Sequence, residues 1–154
     1  MKHARSIKFL GVMTAVAGVS AAVAQALPAD AAATSAKSVV VNCSNKPETR
    51  PANFTPYCAD YGIVLKHMHW TSWNGHLASG YGTVSENDEY PSHAAGKIFT
   101  VPVLVTFWGS AAVRGHQGDR TYTTMTLIFP GKRPPVYNFR TGKASYPVTQ
   151  TVGF

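Results

Sequence analysis

Acidic residues are scarce in this sequence: 154 residues hold 7 Asp and Glu against 14 Lys and Arg, and no acid lies beyond Asp119. That scarcity leaves little material for the paired carboxylates of glycoside hydrolysis. Glu86, Asp88 and Glu89 crowd one segment and read as a solvated loop face, while Asp60 reads as a turn or cap residue. Cysteines number only 2, and their Cys-x14-Cys spacing lacks the close ligand pairs of zinc sites. No Gly-x-Ser-x-Gly elbow is present, so nothing marks an activated nucleophile. After residue 33 no apolar run is long enough to span a bilayer, and no stretch repeats at the 3.6-residue period of an amphipathic helix. Charge is sparse as well, at 14% of residues, but 45% hydrophobic content excludes global disorder.

The first 33 residues read as a removable leader. Lys2, Arg5 and Lys8 precede an uncharged apolar run from Phe9 to Ala24, and the small-residue site Ala24-Gln25-Ala26 follows. This is the layout of a secretory signal peptide, with cleavage after Ala26, Ala31 or Ala33. The expected division is therefore a signal and cleavage region over 1–33 and a single domain over 34–154. About 120 residues suffice for one domain with an ordinary hydrophobic core. Export also explains Cys43 and Cys58, because an oxidising compartment lets one structural disulfide close. A loop of about 15 residues closed in this way adds on the order of 3 kcal/mol in the chain-entropy model. The mature protein is expected to be secreted, extracellular or associated with the cell wall, without stable membrane insertion.

Hydrophobic alternation predicts strands. Ile63 to Trp73 places Ile63, Leu65, His67 and His69 on one face and Val64, Lys66, Met68 and Trp70 on the other, ahead of an Asn74-Gly75 hairpin turn. His76 to Val84 returns, with Ala78, Gly80, Gly82 and Val84 on one side; glycines there predict close approach of bulky side chains from the partner strand. Ile98 to Trp108 is the clearest strand, with Phe99, Val101, Val103, Val105 and Phe107 on one face and Pro102 opposite, which predicts an edge or a bulge. Thr121 to Phe129 follows, then short runs at Val136 to Phe139 and Tyr146 to Val152. Five to seven short strands with frequent Gly and Pro turns predict an all-β fold, a small antiparallel β-sandwich or barrel with a disulfide-stapled N-terminal loop.

Several spaced motifs run through residues 42–135: Cys43-Ser-Asn-Lys-Pro-Glu-Thr-Arg-Pro, Cys58-Ala-Asp-Tyr-Gly, Trp70-Thr-Ser-Trp73, Asn87-Asp88, Ala95-Gly96-Lys97 and the segment from Tyr122 to Pro134. Together they resemble an uncharacterised family of small secreted actinobacterial proteins. The resemblance implies secretion and carries no activity with it. In that family the Asn-Asp motif often continues as Asn-Asp-Cys-x-x-x-Cys, a second cysteine pair, whereas Glu89 and His93 stand in those places here. The resemblance therefore implies a looser loop over 85–96, in which Glu89 and His93 have the makings of a polar or metal-binding pair.

Candidate binding residues fall into three groups. His67 and His69, two apart on a strand, share a face and have the spacing to hold Zn²⁺ or Cu²⁺ with a third ligand from His76, His93 or His116. Trp70, Trp73, Tyr81, Tyr90 and Trp108 are candidates for a sugar-stacking platform. Trp70 and Trp108 read as core, Trp73 beside its turn as the most exposed ring, and Tyr90 as its companion in the polar loop. Lys132 and Arg133 belong to a basic end: residues 120–154 carry five Lys and Arg and no acid, enough to attract an anionic polymer. No nucleic-acid motif accompanies that charge. The resulting expectation is a non-enzymatic extracellular binding or interaction module, free of cofactor, with a cell-wall polymer or an extracellular protein as partner. The alternatives are a secreted inhibitor presenting Asn74-Gly75 or the 109–119 loop, and a histidine metal site.

Overall fold

The computed structural model describes residues 36–154. The expected signal region and its cleavage sites lie outside the described residues. The strands, in chain order, are Lys37–Val41 (β1), Pro47–Glu48 (β2), Ile63–Trp73 (β3), Ala78–Asn87 (β4), Ile98–Trp108 (β5), Ala111–Ala112 (β6), Asp119–Thr121 (β7), Thr124–Ile128 (β8), Val136–Asn138 (β9), Lys143–Ser145 (β10) and Thr149–Gly153 (β11). The all-β expectation holds. Five long strands form an antiparallel sheet in the order β11-β8-β5-β4-β3, β9 and β10 form a separate hairpin, and β2-β1-β7-β6 form a smaller sheet. Within that smaller sheet β1 runs parallel to β7, a pairing between distant segments that local pattern does not foretell. The packing is sandwich-like rather than a closed barrel, because β3 and β11 remain the edges of the large sheet.

The stapled loop fills the space between those edges. Cys43 and Cys58 are bonded, as expected, with Cα atoms 5.4 Å apart. Between them Phe54 exchanges backbone hydrogen bonds with Leu65 of β3, while its ring packs edge-on to Phe154 at 5.3 Å. The Tyr57 hydroxyl donates to the carbonyl of Gly153 in β11 (2.7 Å). An irregular segment can hold this position because its own backbone groups are satisfied by the strand edge it covers.

β5 forms as its alternation predicts: Val101, Val103, Val105 and Phe107 are all buried. Pro102 is accommodated because β8 flanks β5 only from Leu104 onward, leaving that stretch of β5 with β4 as its one neighbour. β3 has the expected ends but not the expected faces. Its register slips between Lys66 and His69 and again between Trp70 and Ser72, so each slip inserts an extra residue opposite β4. His67 takes the first bulge with φ of 53°. Ile63 and Leu65 point inward, but after the first bulge Met68 and Trp70 turn in and His67 and His69 turn out, so neither expected face stays whole; Trp70 is packed against the core as expected. The glycine expectation is met on the facing strand. A Cβ at Gly80 would lie 2.9 Å from the Trp70 ring and 2.6 Å from the His69 carbonyl, and one at Gly82 would lie 2.6 Å from the Met68 sulfur.

The segment expected as one strand from Thr121 to Phe129 is split. Asp119–Thr121 belongs to the small sheet and Thr124–Ile128 to the large one, and the chain crosses between them at Tyr122. Tyr122 is 2% exposed, and its hydroxyl donates to the Asn74 carbonyl at the hairpin turn. Burial pushes the phenol pKa up. β4 also runs further than expected, through Ser85, Glu86 and Asn87, and this extension positions the site described next.

Candidate functional site

Inward-facing positions of β4 continue from Ala78 and Val84 to Glu86, which brings a carboxyl group to the end of the core. Glu86, expected on a solvated loop face, is only 8% exposed. Its Oε2 is buried and has no hydrogen-bond partner; the Gln150 amide eases its ionisation, yet Gln150 Nε2 too completes no bond. Burial, reinforced by the Glu89 carboxylate, pushes the Glu86 pKa up to about 7 from an ordinary 4.5, with Gln150 opposing the shift.

Asp88 is buried as well, contrary to the same expectation, and here the reason is structural. Its Oδ1 accepts from the Tyr90 and Lys97 amides at 3.2 and 2.8 Å, and its own amide donates to the Lys97 carbonyl at 3.0 Å. Asn87 adds a second clasp, with Oδ1 accepting from the Glu89 amide (2.8 Å) and Nδ2 donating to the His93 carbonyl (2.9 Å). Gly96 is required at the base of this loop, since a Cβ there would lie 2.0 Å from Asn87 Oδ1. Two short polar side chains thus tie a loop that has no disulfide of its own.

Glu86 lines a cleft of about 400 Å³ together with Asp60, Glu89, Tyr57, Tyr137 and Phe139. Tyr137 and Phe139 come from β9 and its exit, and Tyr90 stacks on Tyr137 at 4.3 Å with the rings 12° from parallel. The lining therefore combines aromatic rings with carboxylates. At the mouth, Asp60, Glu89 and His93 bring two carboxylate oxygens and an imidazole nitrogen within 4.8 Å of one another, with His93 Nδ1 3.6 Å from Glu89 Oε1. Asp60 acts as a turn residue too, as expected, its Oδ1 accepting from the Gly62 amide at 3.0 Å.

The residues singled out from sequence are dispersed. Trp73, expected as the most exposed ring, faces inward, because the second bulge cancels the first and returns it to the face of Ile63 and Leu65; it packs on Trp70 at 4.8 Å and its indole donates to the Ser38 carbonyl (2.7 Å). Trp108 is the reverse case. Expected as core, it lies opposite in parity to Phe107, is 44% exposed, and bonds Thr126 Oγ1 at 3.1 Å. His67 and His69 are both exposed; His69 stacks on Tyr81 at 5.3 Å, and among the described residues no third His, Cys, Asp or Glu joins the pair. Lys132 and Arg133 are exposed outside the cleft, Arg133 donating to the Tyr146 carbonyl at 3.3 Å. Of the expected binding residues Glu89 lines the cleft and meets His93 at 3.6 Å, and Tyr90 supports the cleft from behind Tyr137. The aromatics that sequence reasoning passed over, Tyr137 and Phe139, carry one local signal: they alternate with Asn138 in a short, otherwise polar hairpin.

Fold and site together define a small all-β protein, stapled by one disulfide, with an aromatic and acidic cleft at one end of its main sheet. Among the described residues no helix is long and apolar enough to cross a membrane. No protein-family model, curated protein or solved structure matches the chain.

Proposed function

We propose that this is a secreted, non-enzymatic binding module, kin to the small secreted actinobacterial proteins its motifs resemble, and that its ligand is a cell-wall saccharide seated in the cleft. The observation that carries this reading is the meeting of Tyr137 and Phe139, backed by Tyr90, with the carboxyl groups of Asp60, Glu86 and Glu89 in one cleft of about 400 Å³. That volume falls within the range of about 300 to 1,000 Å³ common for small-ligand sites. Flat rings offer apolar faces to the C–H face of a sugar, and carboxylates accept from paired hydroxyls, so the cleft supplies both kinds of contact that a pyranose takes. Glu86 in its neutral form adds a donor at the floor. The disulfide and the signal-like leader support an exported location.

The test is calorimetric titration of the oxidised protein with soluble wall-glycan oligosaccharides at low and high salt. Binding should resist salt, and Tyr137→Ala should weaken it by roughly tenfold or more, about 1.4 kcal/mol or greater. Binding that instead vanishes with salt and with Lys132→Ala/Arg133→Ala would move recognition from the cleft to the basic surface. Absence of binding in every arm would remove the saccharide reading.

A further inference from the structure

We infer that Asp60, Glu89 and His93 form a binding site for a divalent metal ion of borderline softness, Zn²⁺ by preference, at the rim of the cleft. This goes beyond the saccharide reading and does not depend on it. The three donors come from two separately anchored segments. Asp60 lies two residues after Cys58 and is held by its bond to the Gly62 amide, while Glu89 and His93 ride on the loop clasped by Asn87 and Asp88. Gly62 lets the two segments meet: a Cβ there would lie 3.0 Å from Glu89 Oε1 and 3.5 Å from Asp60 Oδ1.

The donor set is chemically specific. Two carboxylate oxygens and one imidazole nitrogen suit Zn²⁺, with a fourth position left to water or ligand, and suit the all-oxygen preference of Ca²⁺ poorly. A tetrahedral Zn²⁺ with arms of about 2.0 Å sets its ligand atoms about 3.3 Å apart. The His93 to Glu89 pair already stands at 3.6 Å, and all three side chains are exposed and so have room to close. Charge balance points the same way. Among the described residues no Lys or Arg forms an ion pair with Asp60 or Glu89, although the chain carries twice as many basic as acidic groups.

A second observation, separate from the cluster, indicates that the cleft is incomplete as it stands. Glu86 lines it at 8% exposure with a buried Oε2 that completes no hydrogen bond, although the Gln150 amide lies close enough to ease its ionisation. An oxygen left without a completed hydrogen bond costs on the scale of the desolvation penalty, so Glu86 keeps polar capacity that a donor at the cleft can fill. Water on a metal ion held by Asp60, Glu89 and His93 is such a donor, in the manner of the outer hydrogen bonds that accompany metal ligands.

The experiment is titration of chelator-treated, disulfide-bonded protein with Zn²⁺ by calorimetry, and with Co²⁺ by visible absorption, without saccharide. One ion per chain is expected, and Glu89→Gln and His93→Ala should each weaken it by roughly tenfold or more. Both side chains are exposed, and an unchanged thermal midpoint without metal confirms that the variants fold. His67→Ala/His69→Ala should leave the affinity unchanged. No stoichiometric binding, binding that survives both Glu89→Gln and His93→Ala, or loss in the His67/His69 variant instead would each overturn the assignment. Tyr137→Ala separates the two readings, since it should retain Zn²⁺ while losing saccharide; failure of one titration therefore does not carry the other with it.

Discussion

Two aromatic clusters, one at each end of the molecule's chemistry, invite comparison. Trp70, Trp73, Phe107 and Tyr122 pack with ring centroids 4.8 to 6.1 Å apart, and each polar tip has a partner: Pro51, Ser38 and Asn74 carbonyls accept from Trp70, Trp73 and Tyr122. Tyr90 stacks on Tyr137 at 4.3 Å and lies tilted to Phe139 at 6.3 Å, yet Phe139 is 64% exposed and the neighbouring Glu86 Oε2 completes no hydrogen bond. The first cluster has nothing left to bind. The second retains both apolar surface and polar capacity after folding is complete, and these are what a ligand site needs. Aromatic content alone therefore says nothing of function; satisfaction of the surrounding polar groups separates core from site.

The largest test of that contrast is Phe107→Ala. Phe107 is 0% exposed and touches rings of Phe54, Trp70, Trp73, Tyr122 and Phe154. Truncation there should cost about 3 to 5 kcal/mol in urea denaturation, the transfer loss plus an unfilled cavity. A cost under about 1 kcal/mol would mean that the cluster collapses around the gap, and the distinction between a closed core and an open cleft would lose its energetic basis.

How far these regions were legible in sequence follows from how local their causes are. β5 was readable because one period of alternation runs unbroken from Phe99 to Phe107. β3 was readable in extent and wrong in phase only over its middle, because the first inserted residue flips the faces that follow and the second restores them before Trp73. The visible trace of those bulges was on the other strand, in Gly80 and Gly82, which make room for Trp70 and Met68. Trp73 and Trp108 exchanged roles through alternation: Trp73 keeps the inward parity of Ile63 and Leu65 once the second bulge cancels the first, while alternation with Phe107 sent Trp108 out. Glu86 was within reach, since it continues the Ala78, Gly80, Gly82, Val84 face by one more step. The cleft itself was not legible. It joins residues 57–62, 86–89 and 135–139, and no periodicity reports contacts across such separations. The Cys43–Cys58 bond was legible, being the single intramolecular pairing that two cysteines allow.

Glu86 supplies the next test, intermediate in size. Its folded pKa of about 7 lies above the ordinary 4.5, so the native state holds a proton that the unfolded chain has released between those values. Stability from this group is thus fully present below pH 4.5 and falls as pH rises through 7, by at most about 3 kcal/mol from a shift of that size. Urea midpoints measured in chelator should decline over that window in the native protein and flatten in Glu86→Gln, which should be the more stable form at pH 8. Glu89→Gln should shrink the decline, because Glu89 is one cause of the shift. A native profile as flat as that of Glu86→Gln would place Glu86 in water and remove the unpaired carboxyl from the cleft.

Tyr137→Ala is the smallest effect on stability and the sharpest on the comparison. Its ring meets Tyr90 in a single stack and otherwise borders the cleft, so the loss on truncation should be near the value of one aromatic pair, about 0.5 to 1.5 kcal/mol. The same substitution should remove saccharide binding while Phe107→Ala, assayed where it remains folded, should leave affinity close to native. That inversion of rank, in which the residue that matters least for stability matters most for the ligand, is what an open aromatic cluster requires and a closed one forbids. If Tyr137→Ala instead costs as much as Phe107→Ala, the β9 rings are a second core that folding cannot spare, and their exposure is no evidence of a ligand.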